Sequence, residues 1–505
     1  MTNQTRIKEP TLVDALIPIV LLVFFMGSAV FLYREDSSYG PNQIALLLAM
    51  GVAALVGIKN GHRWKSIEEG LVKGISMSLG ACMILFVVGS LIGTWMLAGT
   101  VPTLIYYGLN LLNPTFFYAA ASIICAVVAM SIGSSWTTAA TVGVALIGVA
   151  TGMEMSLAIT AGAVVSGAYF GDKLSPLSET TNLAPAIAGT DLFEHIKYML
   201  WTTIPSFLIT LILFVILGLT EDTSQVSGSI VKMQQTIASQ FELGLHLLIP
   251  LVVLLTLAIR KMPAFPAIAI GALLGAVWAL LFQDNLVSSF ADNIKVTAPD
   301  AIHWLFKDIP EWVKHIMVTW TALFDGVSFD TGDEGLDKLL SRGGMASMLN
   351  TVWLIICAMS FGAVLEKVGL LKAVVATLLK GAETAGAMIS RTILTCIGTN
   401  IITADQYISI VMPGRMYKEE FEKRGLDQLN LSRSLEDGGT LTSPLIPWNT
   451  CGAYMSGVLG VSVYDYFVYA FFNLINPVLA IIYAYLGIKI LRLTPPQVKV
   501  VNQGT

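Results

Sequence analysis

The feature that most restricts the fold of this chain is a long segment without charge: residues 74–153 contain no Asp, Glu, Lys or Arg. A soluble protein cannot make a water-facing surface from such a segment, whereas several membrane crossings can contain it. Of all 505 residues only 12% are charged, against roughly 25% in soluble domains. Backbone groups in lipid must be satisfied within each segment, so the spans are predicted to be helices. The sequence therefore predicts an all-α polytopic membrane protein.

Basic residues in the loops predict the orientation of the spans. Lys59, Arg63, Lys65 and Lys73 place the loop 59–73 in the cytoplasm, and Lys261 with its basic neighbour Arg260 marks another cytoplasmic turn. Segment 284–342 has ten acidic and five basic residues and is predicted to lie outside, with no prediction of its structure. Residues 12–33 fit a first retained span better than a cleaved signal peptide. The predicted protein is a multi-pass protein of a bacterial inner membrane, with both termini cytoplasmic.

A weak internal repeat predicts two halves of opposite orientation. Ser175-Pro176-Leu177 recurs as Ser443-Pro444-Leu445, and Gly133 pairs with Gly398, at offsets of 268 and 265 residues. The span 75–97 is predicted to run outward, and its counterpart near 350–366 runs inward. Inverted repeats of this kind are typical of secondary transporters. The predicted organisation is as follows: N-terminal spans in 1–74, a first inverted repeat in 75–220, connecting spans and the extracytoplasmic segment in 221–349, a second inverted repeat in 350–490, and a cytoplasmic tail in 491–505.

Polar residues interrupt both halves at corresponding places. In the first half the interruptions are 133–138 and 171–182, and in the second half they are 398–405 and 435–450. Glycine and proline free backbone carbonyls there, while Ser, Thr and Asn add further oxygens. Oxygen-rich sites suit hard cations such as Na⁺, and paired interruptions in repeated halves point to the binding site of a transporter. Discontinuous helices and re-entrant hairpins are therefore expected.

A charge at mid-membrane costs at least ~2.5–3.5 kcal/mol, and the carboxylates in the interruptions carry this cost without an obvious structural gain. They are therefore the predicted ion-binding groups. Burial also favours the protonated form of a carboxyl group, so one carboxylate that binds either Na⁺ or H⁺ would couple their movements. Predicted Na⁺ ligands are Asp172, Asp405 and Ser175. The whole predicted ion- or proton-binding set is Asp172, Glu179, Asp405, Asp437, Ser175, Ser178, Thr180 and Thr403. Predicted substrate-binding residues are Asn182, Asn449, Thr450, Ser443, Thr137 and Thr138.

Structural roles remain as alternatives for several of these acids. Asp172 could neutralise its neighbour Lys173 at a helix end, and Glu179 could cap a helix N-terminus. Asp437 and the adjacent Glu436 could pair with Arg433 at the cytoplasmic edge. Asp405 has no charged residue within nine positions on either side, so it is the acid for which a structural role is hardest to find.

Other classes of site have little support in the sequence. The five cysteines are scattered through apolar runs without CxxC spacing, which favours packing roles over disulfides or metal ligands. There is no basic patch that would predict nucleic-acid binding. An intramembrane protease would need an HExxH motif or a Ser–His pair within the spans, and neither pattern is present, so no enzyme activity is predicted. No cofactor is expected beyond Na⁺ and H⁺ as transported ions, and the lipid bilayer is the expected surrounding.

The interruptions also carry a family resemblance. Residues 167–185, Gly-Ala-Tyr-Phe-Gly-Asp-Lys-Leu-Ser-Pro-Leu-Ser-Glu-Thr-Thr-Asn-Leu-Ala-Pro, resemble a signature of the NhaC family of Na⁺/H⁺ antiporters. Residues 403–407, 413–416 and 435–452 resemble the same family. Many members have Asp at the position of Glu179. The resemblance covers most of the chain and is weakest in 284–342 and at both ends.

The resemblance implies a Na⁺/H⁺ antiporter of the ion-transporter superfamily, with inverted repeats and re-entrant hairpins. Some relatives exchange malate for lactate and others handle amino acids, so a Na⁺- or H⁺-coupled transporter of a small organic anion or amino acid is the alternative. For such a solute, Asn182 and Asn449 beside helix N-termini would hold a carboxylate. Stoichiometry, preference among Na⁺, Li⁺ and K⁺, and a homodimer are left open.

Overall fold

A computed structural model describes residues 7–33, 37, 39–221, 226–293, 310–331, 337, 340–379 and 384–493. Within these ranges every regular element is a helix, and the one strand-like pairing is an isolated bridge between Leu426 and Arg492. Nine of the described helices are long and apolar enough to cross a membrane, or up to eleven if each of two bent pairs counts as one span. The prediction of an all-helical multi-pass membrane protein is confirmed.

The first part of the chain supplies long spans and two helix breaks. The helices are α1 (Leu12–Tyr33), α2 (Pro41–Lys59), α3 (Trp64–Leu97), α4 (Thr100–Leu111), α5 (Phe117–Ile132), α6 (Ser135–Gly152, with a π-helical turn at Ala139–Gly143), α7 (Leu157–Leu174), α8 (Glu179–Ala188) and α9 (Leu192–Thr220). Most of the predicted loop 59–73 belongs to α3, which begins at Trp64. Its charged first turns extend a helix that is longer than a bilayer crossing needs.

The remaining helices complete the bundle. They are α10 (Val226–Gln240), α11 (Ile249–Ile259), α12 (Ala264–Phe282), α13 (Asp284–Asn293), α14 (Glu311–Phe324), α15 (Leu349–Lys367), α16 (Leu370–Leu379), α17 (Ala385–Thr403), α18 (Gln406–Lys423), α19 (Gln428–Leu435), α20 (Thr450–Leu459), α21 (Val463–Tyr466) and α22 (Phe471–Leu486). A π-helical segment, Glu436–Thr440, continues α19. Segment 284–342, whose structure the sequence did not predict, contains α13 and α14 among its described residues.

Two hairpins enter the bundle from opposite ends of α9. At the C-terminal end of α9, the hydroxyl of Tyr118 donates to Glu221 at 2.6 Å and accepts from the backbone N–H of Ser156 at 3.1 Å, so the open end of the α5–α6 hairpin lies there. At the N-terminal end, the hydroxyl of Tyr198 donates to Asn430 at 2.6 Å. The open end of the α17–α18 hairpin lies on that side, where Leu493 donates its N–H to the carbonyl of Gly425 at 2.9 Å.

Helix α9 has 29 residues and is therefore roughly 43 Å long, so its two ends lie on opposite sides of the bundle. Two hairpins that open at these opposite ends agree with inverted repeats. The repeat itself and the domain boundaries stay predictions. One detail of the expected correspondence differs in the structure. Gly398 lies inside α17, and the chain breaks at Ala404, which has a left-handed φ of 57°. Gly133, with φ 77°, therefore matches Ala404 in local geometry and not Gly398.

Candidate functional site

Two of the helix breaks are sharp turns, each made by one left-handed residue followed by a capping side chain. After Gly133, Ser134 accepts a hydrogen bond from the N–H of Thr137 at 3.2 Å and so caps α6. After Ala404, Asp405 accepts from the N–H of Ile408 at 2.8 Å and caps α18. Both caps satisfy N–H groups that a helix start leaves without partners, which matters most where water is scarce.

The other two breaks are longer, and side chains from neighbouring segments satisfy their free carbonyls. Between α7 and α8, the hydroxyl of Thr181 donates to the carbonyls of Asp172 and Lys173 at 3.2 and 3.1 Å. Between the π-helical segment and α20, Tyr466 donates to the carbonyl of Pro444 at 2.6 Å, and Asn473 donates to that of Leu441 at 2.9 Å. These contacts make unwound backbone tolerable inside the bundle.

The breaks meet at one cavity of about 720 Å³, which we call the break cavity. The N-termini of α6, α8, α18 and α20 all reach it, and α3 with the turn between α11 and α12 forms its other walls. Residues from the breaks that line it are 132–137, 172, 176–180, 182, 405–407 and 450–451. The structure thereby brings three of the predicted acids to one cavity, although they are up to 233 positions apart in the chain: Asp172, Glu179 and Asp405.

Asp172 is the most enclosed of these three acids, with 7% of its surface exposed. Its Oδ2 atom accepts two hydrogen bonds from Ser135, one from the backbone N–H at 3.1 Å and one from the hydroxyl at 2.7 Å. Burial makes the ionised carboxylate costly, and these two bonds offset part of that cost. They also join the end of α7 to the start of α6. The other carboxylate oxygen of Asp172, Oδ1, takes part in neither bond, and Asp172 lines the cavity.

Glu179 and Asp405 present their carboxylates from different helices. Glu179 is the first residue of α8 and is exposed to the cavity, where the hydroxyl of Tyr407 donates a hydrogen bond to it. Asp405 is half-buried and serves as the cap of α18. The described residues contain no group of three His, Cys, Asp or Glu side chains close enough to share one metal ion. A cation in this cavity would therefore take at most two of these side chains at once and complete its shell with hydroxyl, carbonyl or water oxygens.

The structure separates the remaining predicted residues into two groups. Ser178, Thr180, Asn182, Thr137 and Thr450 line the break cavity, in agreement with their position in the breaks. Outside its lining lie Ser175, Thr403, Thr138, Ser443 and Asn449. These hydroxyl and amide groups bond mostly to nearby backbone, as when Thr403 donates to Thr399 at 2.8 Å and Asn449 caps α20. Whether any of them binds an ion or solute stays a prediction.

Asp437 lies apart from the cavity, in a fully buried contact between the two halves. Its Oδ1 atom forms an ion pair with Lys173 and accepts a hydrogen bond from Asn476 at 2.7 Å. Its Oδ2 atom lies 3.9 Å from Nε of Arg433. Lys173 therefore pairs with Asp437 across 264 positions of sequence and not with the adjacent Asp172. The ion-binding role predicted for Asp437 stays untested.

Sequence reasoning gave no role to several residues of the cavity wall. Tyr407 contacts Glu179, and the ring of Trp136 stacks on Tyr454 with centroids 4.0 Å apart. Lys261, used above only to mark the cytoplasmic side, also lines the cavity. Trp136 lies inside the interruption 133–138, and Tyr407 lies two residues after the interruption 398–405. An aromatic residue in or beside a polar interruption was the signal that could have found them.

Comparisons with known proteins show which family the sequence matches. A model of the Na⁺/H⁺ antiporter family matches residues 167–298 and 312–488. The chain is 39% identical to the Na⁺/H⁺ antiporter NhaC of Alkalihalophilus pseudofirmus, over 88% of this chain and 90% of that one. It is 37% identical to the malate-2H⁺/Na⁺-lactate antiporter of Bacillus subtilis, over 95% and 96%. It is 35% identical to NhaC of Bacillus subtilis, over 95% and 99%.

Proposed function

Because the chain belongs to the Na⁺/H⁺ antiporter family, we propose that it exchanges Na⁺ for H⁺ at the carboxylates of the break cavity. The observation that carries this proposal is the position of Asp172. It is a nearly buried carboxylate at the junction of two broken helices, and it faces a cavity that cargo can enter. An ionised group in such a place is costly, and ion pathways are where such groups are usually found.

The proposed Na⁺ site is built on Asp172 with oxygens of its own surroundings. The hydroxyls of Ser178 and Thr180, which lie 3.3 Å apart, and the hydroxyl of Ser135 offer neutral oxygen ligands near the same break. Hard cations prefer such ligands. Asp405 and Glu179 add negative charge to the cavity wall, and they attract cations into the cavity before one of them reaches Asp172.

The cavity also supports an orientation for this conformation. Lys261 and the start of α12 line it, and the basic turn at 260–261 is predicted to be cytoplasmic. On that reading, the break cavity opens inward and both termini lie in the cytoplasm of a bacterial cell. The cycle then needs a second state in which the same acids face outward, as in alternating access.

Transport in proteoliposomes tests the exchange directly. With the purified full-length protein, addition of Na⁺ to one side should collapse an imposed pH gradient, as read by a pH-sensitive dye. Asp172→Asn should abolish this response, and Glu419→Gln serves as the matched control because its side chain is 82% exposed. A wild-type protein that leaves the gradient intact would refute the proposal, and the exposed control shows that loss of a carboxylate alone is not enough to stop exchange.

A second candidate function is exchange of a small organic anion, and the size of the break cavity favours it. About 720 Å³ lies within the range of small-molecule sites, and helix N-termini bind carboxylates. Of the two amides predicted to hold such a group, Asn182 lines the cavity, whereas Asn449 donates to Asn400 at 3.1 Å. Uptake of labelled malate or lactate that depends on a Na⁺ or proton gradient would favour this function over simple cation exchange.

In either case we propose transport without catalysis and without a bound cofactor. An exchange of Na⁺ for H⁺ changes no covalent bond except the O–H bond of an acid that takes up or releases the proton, so the residues of the cavity need only bind, release and shield charge. Detergent-solubilised protein that cleaves a membrane peptide would contradict this reading.

A further inference from the structure

Four charged side chains form a second site behind the break cavity, which we call the buried charge cluster. They are Lys173 at the end of α7, Arg433 in α19, and Glu436 and Asp437 in the π-helical segment. All four are 0% exposed. Burying charges is expensive unless they are paired and hydrogen-bonded, so each of the four needs an explanation.

Three of the four members lie close enough to one another to form ion pairs. Asp437 accepts from Asn476 and forms the ion pair with Lys173, and it also lies 3.9 Å from Nε of Arg433. The guanidinium carbon of Arg433 lies 4.3 Å from the ring centroid of Tyr198, in a cation–π contact. Two cations thus share one carboxylate.

Glu436 is different, because among the described residues it forms no ion pair and neither of its carboxyl oxygens accepts a hydrogen bond. The hydroxyl of Thr440, one turn farther along, lies beside this carboxyl group and has no other hydrogen-bond partner there. Inside a protein, a fully buried carboxyl group without a close ion pair is far less costly in its neutral, protonated form than as a carboxylate. Asp172 differs from Glu436 in its surroundings, because it accepts two hydrogen bonds from Ser135 and lines the break cavity.

Three helices bring charged or titratable side chains to the surroundings of Glu436. Besides Lys173, α7 brings Asp172, whose charge acts on Glu436. From α9, His195 lies near Lys173 and Arg433, and from α17, Cys396 lies near Glu436.

Among the described residues, three other helices meet this segment through uncharged side chains or carry their charge elsewhere. In α8 the single charged residue is Glu179, at the cavity end. Helix α18 meets the π-helical segment through Ser409 and Ile410, beside Gly439. Helix α22 contains no charged residue and contributes Asn476.

With Glu436 protonated, the charges of the buried charge cluster and of the adjoining Asp172 sum to zero. Lys173 and Arg433 are offset by Asp437 and by the ionised Asp172. When Na⁺ binds to Asp172 it adds one positive charge to a region of low dielectric constant, where an uncompensated charge is costly. Loss of the proton from Glu436 restores the balance.

We propose that Glu436 is a proton-binding site of this transporter and that it releases its proton when Na⁺ binds to Asp172. Coupling then runs between two acids in different surroundings, Asp172 at the cavity for the cation and Glu436 in the buried charge cluster for the proton, and does not need both ions to compete for one carboxylate. The inference rests on the proposed Na⁺/H⁺ exchange and assigns the exchanged proton to a residue.

Proton release on Na⁺ binding in detergent tests this assignment. Full-length protein in weak buffer is mixed with Na⁺, and a pH dye reports protons released while radioactive Na⁺ reports ions bound. The wild type should release about one proton per ion, and its Na⁺ Kd should rise about tenfold for each pH unit below the midpoint of release. Glu436→Gln should bind Na⁺ weakly at every pH and release almost no proton.

Two variants make the result decisive. Glu419→Gln removes the same group from a side chain that is 82% exposed and should behave as the wild type. Glu436→Asp retains a carboxyl group in a shorter side chain, so it should shift the pH midpoint of release, and it decides the question if Glu436→Gln fails to fold. Wild-type release and pH dependence in Glu436→Gln, or an unshifted midpoint in Glu436→Asp, would overturn the inference. A wild type without any Na⁺-driven release would instead refute the exchange itself.

Discussion

The hydroxyl of Tyr407, in the second half of the chain, donates a hydrogen bond to Glu179, in the first half, across the wall of the break cavity. Tyr407 follows the cap of α18 by two residues, and Glu179 begins α8, so this contact joins the starts of two broken helices. Both side chains are exposed to the cavity. The contact therefore orients a carboxylate for cargo and adds little to the core.

Tyr407→Phe should weaken Na⁺ binding without unfolding the protein. The change removes only the donor to Glu179, so the carboxylate loses its fixed position, and the Na⁺ concentration for half-maximal exchange should rise roughly fivefold. Tyr485→Phe is the control, since Tyr485 is 65% exposed at the end of α22. Equal half-saturation in the two variants would show that Glu179 does not need this hydrogen bond.

Asp172→Asn should eliminate Na⁺-driven proton movement, because an amide cannot supply the negative charge that the cation requires. The amide oxygen can still accept from Ser135, so the junction of α6 and α7 should survive. The rate of pH-gradient collapse should fall on the order of a hundredfold, while thermal unfolding in detergent stays near that of the wild type. Exchange close to the wild-type rate would remove Asp172 from the ion site.

Two substitutions at Asp405 should separate its capping role from its charge. Asp405→Asn keeps a good cap for α18, whereas Asp405→Ala removes the bond to Ile408 and should cost about 1 kcal/mol of stability. Both variants should lose exchange if the charge is required. Normal exchange in Asp405→Asn, together with a destabilised Asp405→Ala, would show that Asp405 is a helix cap alone.

Gly133→Ala and Gly398→Ala should have opposite effects on stability. Gly133 has a left-handed φ of 77°, and a Cβ atom there would lie 2.6 Å from the backbone carbon of Leu177. We expect a loss of at least ~1 kcal/mol and of transport. Gly398 is inside α17 with open space around it, so alanine should add up to about 1 kcal/mol through helix propensity. Thermal unfolding of both variants checks the difference, and equal effects would contradict the assigned break.

Lys173→Met should be among the most damaging single changes, because it leaves Asp437 buried without its main partner. A loss of ~3–5 kcal/mol is expected for a broken buried pair. The double variant Lys173→Met with Asp437→Asn should recover much of it. Lys59→Met, which breaks a pair whose lysine side chain is 68% exposed, should change unfolding little. Additive losses in the double variant would show that the two residues do not stabilise each other.

Much of the fold and part of the site could be predicted from local sequence. Apolar runs predicted the spans, and polar interruptions predicted breaks that the structure places around one cavity with Asp172, Glu179 and Asp405. The exact break in α17 could not be predicted, since Gly398 is the better left-handed residue and yet Ala404 adopts that conformation. Packing around Ala404, including the bond from Thr450 N–H to its carbonyl at 2.9 Å, outweighs the intrinsic preference of the backbone.

The sequence by itself determined that this chain lies in a membrane and that its acids fall where helices break, because hydropathy and break-forming residues act over short stretches. Only the tertiary structure decided which groups surround each acid. Asp172 and Lys173 are neighbours, yet one faces the cavity and the other Asp437, since consecutive helical residues point about 100° apart. The packing of the whole bundle decides which distant helix lies opposite each of these two side chains.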